Sequence, residues 1–317
     1  MRRCSSWPGR RWERMPDGRE PRVRGSGHTL PFSKGRMATT LYLSGVGAEH
    51  AYDVALEVEQ ALVVQGVSEI AVEDLHRIVE GVLNRVDGAA AVDRYRAWQQ
   101  VLRRERPLIL MIGGATGTGK STLATELAYR LGISRITSTD VVRQVMRAFF
   151  APALMPALHY SSFQAGEGLK MDPDQADRAL YGFIQQAEQV AVGATAVLER
   201  AVLEGLATVL EGVHLVPGLV EVPEQHSATV VQVMLAIMDE RAHHRHFVAR
   251  DATSGGTRAL ERYESHFPEI RRIQDYLVRR AERMGVPVID AADGDAAMRS
   301  VLDLILERAA IAPQGVR

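Results

Sequence analysis

The sequence predicts an α/β protein of three layers, built on a parallel sheet and preceded by a small helical domain. Three observations lead there. From residue 107 onward, short apolar runs alternate with segments of helical apolar spacing, as a parallel sheet with crossover helices requires. The first of these runs, Leu108 to Ile112, feeds the turn GGATGTGKST, which fits G-x-x-x-x-G-K-[ST] in its proper strand–loop–helix context. Ahead of residue 107 only amphipathic helical periodicity is found. The expected organisation is a basic, disordered extension over 1–21, a helical domain over 22–105 and the α/β domain over 106–312.

The net charge of −1 hides an asymmetry, since residues 1–36 carry ten Lys/Arg against three Asp/Glu. A basic arm can bind nucleic acid, but its Arg, Pro, Gly and Ser content suits disorder, and nucleic acid is not the expected partner. Met15 is an alternative first residue. The single cysteine, Cys4, rules out an intramolecular disulfide and a cysteine-based metal site, and fits a cytoplasmic setting. No apolar run approaches the length of a membrane span, so no membrane partner is expected. The paired arginines at the start are not followed by an apolar segment, which argues against a secretory signal.

In chain order, residues 49–65 form a helix with Val54, Val58, Ala61 and Leu62 on one face. A second follows through Leu75, Ile78, Val79, Val82 and Leu83. Gly88 separates it from a third, marked by Val92, Tyr95, Trp98 and Leu102, which runs up to Arg106-Pro107. Beyond the glycine-rich turn and its helix, Arg135–Thr139 is a short strand. Asp172 caps a long helix with Pro173 at its first position and Gln175 in the capping box, continuing through Leu180, Ile184, Val190 and Ala201. Strands follow at Ala207–Glu211, Thr229–Ile237 and Val286–Ile289, and a last helix spans about 295–309.

The chemistry starts at the turn. Its glycines let successive N–H groups face inward without Cβ clashes, making an anion nest at a helix N-terminus. Nucleotide contacts are expected from Gly114, Ala115, Thr116, Gly117, Thr118, Gly119, Lys120, Ser121 and Thr122. Lys120 would reach the β- and γ-phosphates, and Ser121 would help hold Mg²⁺. With 35 arginines and three lysines in the chain, composition alone does not put a lysine here. The expected ligands are ATP and Mg²⁺.

Asp140 and Arg143 stand at the carboxyl end of the second strand, where open α/β sheets bind ligands. There an aspartate can take a proton from an attacking hydroxyl or hold metal waters, while the arginine grips an anionic acceptor. Asp140 also suits the N-cap of VVRQVMR, and the two roles can coexist. Glu211 ends its strand where a carboxylate can hold Mg²⁺ or orient the acceptor, and Gly212 lets the chain turn sharply. His214 is either a contact to an acceptor phosphate or a structural histidine. In DERAHHRHFVAR, His243, Arg245, His246 and Arg250 make either a basic lid over the phosphates or a solvated charged face. Lys120, Asp140 and Glu211 are thus the catalytic candidates, with Ser121 and Glu211 at the metal.

Taken together, IGGATGTGKSTLA, the run Thr139–Met146, LMPALHYSSF, EGVHLVPG, HHRHF and IRRIQDYL resemble the 2-phosphoglycerate kinase family over roughly residues 22–310. The resemblance implies a P-loop kinase fold and ATP-dependent phosphorylation of a hydroxyl on a small phosphorylated acid. It puts His159, Ser161 and Ser162 in the acceptor pocket, to which the residue reading adds Arg143, His214, Arg245 and Arg250 as candidates, and leads one to expect arginine where this chain has His246. The stretch HTLPFSKGRMATTLYLSG resembles the ATP-cone, a small regulatory nucleotide-binding domain, through Pro31, Phe32, Ser33 and Lys34, with Lys34 as its nucleotide contact. The alternative there is a helical cap that binds nothing. Two further readings stay open: a kinase for another small molecule, and a nucleotide-sensing regulator without catalysis. The expected partners are ATP and a small phosphorylated acceptor, and a homo-oligomer stays open.

Overall fold

The computed structural model describes residues 21–311 apart from 26, 104–105, 171–176, 222–227 and 255–259, and the side chains apart also from 48, 249–254 and 311. The N-terminal extension, the helix start at Asp172–Gln175 and the side chain of Arg250 lie outside the described residues. The chain forms two compact units, which divide between Gln100 and Val101.

The first unit opens with β1 (Arg22–Arg24) and β2 (Thr29–Pro31), followed by α1 (Lys34–Leu43) and α2 (Ala48–Val64). Then come β3 (Glu69–Ala71), α3 (Val72–Val86) and α4 (Ala89–Leu102). β1 pairs antiparallel with β2 and parallel with β3. This little sheet was not expected, because strands of three residues are too short to show alternation. The three helices read from periodicity are found at α2, α3 and α4. Their apolar faces supply Val54, Val58, Leu62, Val79, Leu83 and Tyr95 to a common buried cluster. Ser33 caps α1, accepting from the Arg36 N–H at 3.4 Å. The Lys34 ammonium sits 2.8 Å from the Glu59 carboxylate, so it is engaged within the unit.

The second unit follows strand with helix. β4 (Leu108–Gly114) leads to α5 (Lys120–Leu131), and β5 (Arg135–Ser138) to α6 (Thr139–Phe149). Two 3₁₀ turns, Pro156–His159 and Ser162–Gly168, precede α7 (Arg178–Leu203). β6 (Thr208–Gly212), β7 (Thr229–Ala236), α8 (Glu240–Ser254) and α9 (Leu260–Ser265) follow. The chain then forms α10 (Phe267–Arg283), β8 (Val288–Asp290) and α11 (Gly294–Ile311). The sheet order is β5-β6-β4-β7-β8, parallel throughout. β4 lies at its centre, and Ile109 to Ile112 are all buried, as a strand covered on both faces must be. Ile109 and Met111 pack with Ala191, Ala194 and Leu198 of α7. Leu110 and Ile112 point to the opposite face by the period of two, so helices cover both sides. Among the described residues no helix is long and apolar enough to cross a membrane.

Candidate active site

The carboxyl ends of β5, β6 and β4 stand side by side, with Ser138 opposite Glu211 and Ile112 opposite Glu211 in register. Between β4 and α5 the chain makes the glycine-rich loop. Gly114 has φ 146°, and an added Cβ would lie 2.5 Å from the Leu235 carbonyl oxygen, so only glycine fits between the loop and β7. Lys120, first residue of α5, donates to the Ala115 carbonyl at 2.8 Å, and the Thr118 hydroxyl donates to the same oxygen at 3.0 Å. Burial pushes the Lys120 ammonium below the ordinary lysine value, opposed by the negative charges of Glu211 and Asp140. Lys120 is thus near enough to both carboxylates to feel their charge.

Ser121 donates its hydroxyl to Glu211 Oε1 at 3.0 Å. Glu211 is buried, and desolvation raises its pKa against the pull of Lys120 and the Ser121 hydrogen bond. Among the described residues no group of three or more His, Cys, Asp or Glu side chains could hold a metal by itself. One hydroxyl touching one carboxylate is instead the donor set that suits Mg²⁺, which keeps several waters and is completed by substrate phosphates. Ser121 and Glu211 fit that ion.

Asp140 is the second residue of α6. It does not cap the helix: Ser138 does, accepting from the Val141 N–H at 3.2 Å. The Asp140 side chain is 68% exposed, so its carboxylate is available above the sheet. Arg143 is not a free anion grip. Its Nη1 donates to the carbonyls of Leu158 (3.0 Å) and Tyr160 (2.9 Å), and its Nε lies 3.6 Å from Asp140. The guanidinium thus ties the LHYSSF segment to the helix bearing Asp140.

His214 is fully buried and does not reach out to a phosphate. Its Nδ1 is 2.9 Å from the Thr139 hydroxyl and its Nε2 is 3.0 Å from Gln186 Oε1. The Gln186 amide nitrogen donates to the carbonyls of Ala157 and Tyr160, so its oxygen is the acceptor for His214. Nε2 carries the proton, therefore, and Nδ1 accepts from Thr139. Desolvation lowers the His214 pKa to about 4, which keeps the ring neutral. His159 uses Nε2 to donate to the Phe150 carbonyl at 2.9 Å, a structural tie within the same segment. Ser161 donates to Gln164 at 2.7 Å and accepts from Arg262 at 2.9 Å, while Ser162 is buried. Arg245 is exposed on α8 and His246 half-buried.

Sequence reasoning missed Gln186 and Arg262. Gln186 interrupts the apolar face of α7 between Phe183 and Val190, and a lone amide in such a stripe is a signal that something polar must meet it. Arg262 had no such signal. His243 is neither a lid cation nor part of a solvated face. It is buried, with Nε2 2.8 Å from the Thr116 carbonyl.

No protein-family model matches the chain. Three curated proteins named 2-phosphoglycerate kinase are similar to it along nearly its whole length. That of Methanopyrus kandleri is 38% identical over 287 residues, 90% of this chain and 87% of its own. That of Thermococcus kodakarensis is 40% identical over 278 residues, 86% of this chain and 92% of its own. That of Methanocaldococcus jannaschii is 36% identical over 286 residues, 90% and 91%. Among solved structures, a gluconokinase from Sinorhizobium meliloti covers 65% of this chain at 15% identity and a TM-score of 0.34, a likeness too remote to carry weight. With relatives 36–40% identical to it over 86–90% of its length, this chain belongs to the 2-phosphoglycerate kinase family.

Proposed function

We propose that the protein transfers the γ-phosphoryl group of ATP to the free hydroxyl of 2-phosphoglycerate, giving 2,3-bisphosphoglycerate and ADP. The observation that carries the chemistry is the meeting of Lys120, Ser121, Glu211 and Asp140 at one end of the sheet. Loop N–H groups and Lys120 bind the phosphates and neutralise their charge. Ser121 and Glu211 are the residues that would hold Mg²⁺, which would supply positive charge to the phosphates. The acceptor oxygen bonds to γ-phosphorus as the bond to the β-phosphate oxygen breaks, and Asp140 takes the hydroxyl proton.

The acceptor side rests on the LHYSSF segment, whose carbonyls are fastened by Arg143 and Gln186 so that Ser161 and the neighbouring backbone keep a fixed position. Arg245 and Arg250 on α8 are assigned to the acceptor and the transferring phosphate, as charges that complete the site on closure. For the N-terminal domain expected over residues 22–105, the reading is a regulatory nucleotide-binding domain. There Lys34 would exchange its Glu59 partner for a phosphate. A cytoplasmic setting belongs to the same proposal.

The deciding experiment is ADP release, measured with 2-phosphoglycerate, 3-phosphoglycerate and a panel of sugar phosphates. Release with 2-phosphoglycerate well above the others is expected, and it should vanish in Lys120→Ala. Release with a sugar phosphate alone would overturn the acceptor. Tight ATP binding with no release from any acceptor would favour the regulator.

A further inference from the structure

The helix α8 follows β7 and lays two rings against the phosphate-binding loop. Gly117, at φ 88°, leaves no room between them: an added Cβ would stand 2.5 Å from Phe247 and 3.0 Å from His243 Nε2. The His243 ring stacks on Phe247, with centroids 5.3 Å apart and planes at 24°, and meets the edge of Phe267. His243 is fully buried among them.

We propose that His243 is a positioning residue of the nucleotide site, which fixes the phosphate-binding loop by donating Nε2–H to the Thr116 carbonyl. In a trans peptide the C=O and the following N–H point in opposite directions. Holding the Thr116 carbonyl toward α8 therefore aims the Gly117 N–H away from α8, as a donor to the anion. Released from His243, that peptide is free to flip and present a carbonyl oxygen to a phosphate, which repels it.

The hydrogen-bond direction is set from behind. Arg271 Nη1 lies 3.4 Å from His243 Nδ1, and a guanidinium can only donate, so Nδ1 accepts and the ring proton is on Nε2. Arg271 is itself anchored, donating to the carbonyls of Ile237 (2.6 Å) and Met238 (3.0 Å) just past β7. Desolvation lowers the His243 pKa to about 4, consistent with a neutral ring between two fixed partners. The chain of contacts runs from the end of β7 through Arg271 and His243 to the loop. None of its members needs to touch the nucleotide.

This inference rests on nucleotide binding at the loop and not on the acceptor. The test is ADP affinity by calorimetry on the full chain, with unfolding midpoints alongside and with KM for ATP and kcat read separately. His243→Leu keeps bulk and loses the donor; ADP affinity should fall about tenfold, the order expected when a buried carbonyl loses its partner. His243→Gln places an amide nitrogen near the Nε2 position and should recover most of that loss. Arg271→Met should weaken ADP in the wild-type background and much less in the His243→Gln background, because an amide has no tautomer to set. The KM for ATP should move more than kcat.

His243→Leu binding ADP like the wild type would overturn the proposal, leaving His243 as filler. So would His243→Gln being as weak as His243→Leu, or Arg271→Met acting equally in both backgrounds. If His243→Leu fails to fold, the Gln and Arg271 variants still decide. A wild-type protein that binds ADP but does not phosphorylate 2-phosphoglycerate would sink the acceptor assignment alone. One with no ADP affinity would sink both.

Discussion

Glu211 is held in the charged-site geometry at a cost to the fold. Its folded pKa is raised above the ordinary 4.5 by desolvation, and Lys120 and Ser121 only partly offset this. Between the ordinary value and the raised one, the folded state keeps a proton that the unfolded chain has lost. Stability therefore falls as pH rises through that window. Glu211→Gln resembles the protonated form, so the ligand-free variant should unfold at a higher temperature than wild type at pH 7. The two should converge near pH 4. Phosphoryl transfer should drop about 10²-fold or more, since a carboxylate of the charge-stabilising set is gone. A variant with unchanged transfer would remove Glu211 from the metal site. Asp140 is different, being largely exposed and not the helix cap. Asp140→Asn should lower kcat by about 10²–10⁴-fold, the range for general-base groups, with little change in ATP affinity or melting temperature. A variant that melts early and keeps kcat would make Asp140 structural. Lys120 and Ser121 were legible as candidates from the G-x-x-x-x-G-K-[ST] pattern, and Glu211 and Asp140 from their places at or just past a strand end. The roles of His214 and His243 were not. Their partners lie 28, 75 and 127 residues away in the chain, and such pairings leave no local pattern.

At the scale of elements, legibility followed burial and length. β4, β6 and β7 are largely apolar because both faces are covered, and each was found within a residue or two of its bounds. The strands of the first unit are three residues each and had no period to show. One junction couples the sheet to the acceptor segment. Gly212, at the end of β6, has φ 151°, and an added Cβ would lie 1.8 Å from the Thr139 hydroxyl oxygen. That hydroxyl is the one His214 accepts from, and His214 in turn holds Gln186 and the carbonyls of Ala157 and Tyr160. Gly212→Ala should destabilise the fold by about 1–3 kcal/mol, as overpacking does, and should raise the KM for acceptor more than that for ATP. Adding Thr139→Ala should recover part of the stability, because it removes the nearest collision while the residue-139 Cβ stays 2.8 Å away, but not the acceptor KM. Equal rises in both KM values would show that the junction does not address the acceptor side.

Across the whole molecule the two units have separate cores. The first unit's buried cluster draws on residues from Met37 to Tyr95. The second unit's clusters draw on Ile109, Met111, Ala115, Leu210, Met234, Ile273 and their neighbours. The five parallel strands, the phosphate-binding loop, Asp140 and Glu211 all belong to the second unit. A unit with its own core can fold alone. The cut must fall before Pro107, whose carbonyl accepts from the Thr229 N–H at 2.9 Å and so helps start the β4–β7 pairing. Residues 101–317 expressed alone should therefore unfold cooperatively and bind ADP within about threefold of the full chain, since the loop, Asp140 and Glu211 all lie in the second unit. Transfer to the acceptor should survive. Any response of the rate to a second nucleotide should disappear, because Lys34 and its surroundings are gone. The same response should be blunted in the full chain by Lys34→Met, which also frees Glu59. A shortened protein that is insoluble or has lost ADP binding would make the first unit a structural part of the kinase. A shortened protein that keeps a second-nucleotide response would move the regulatory site into the parallel-sheet unit.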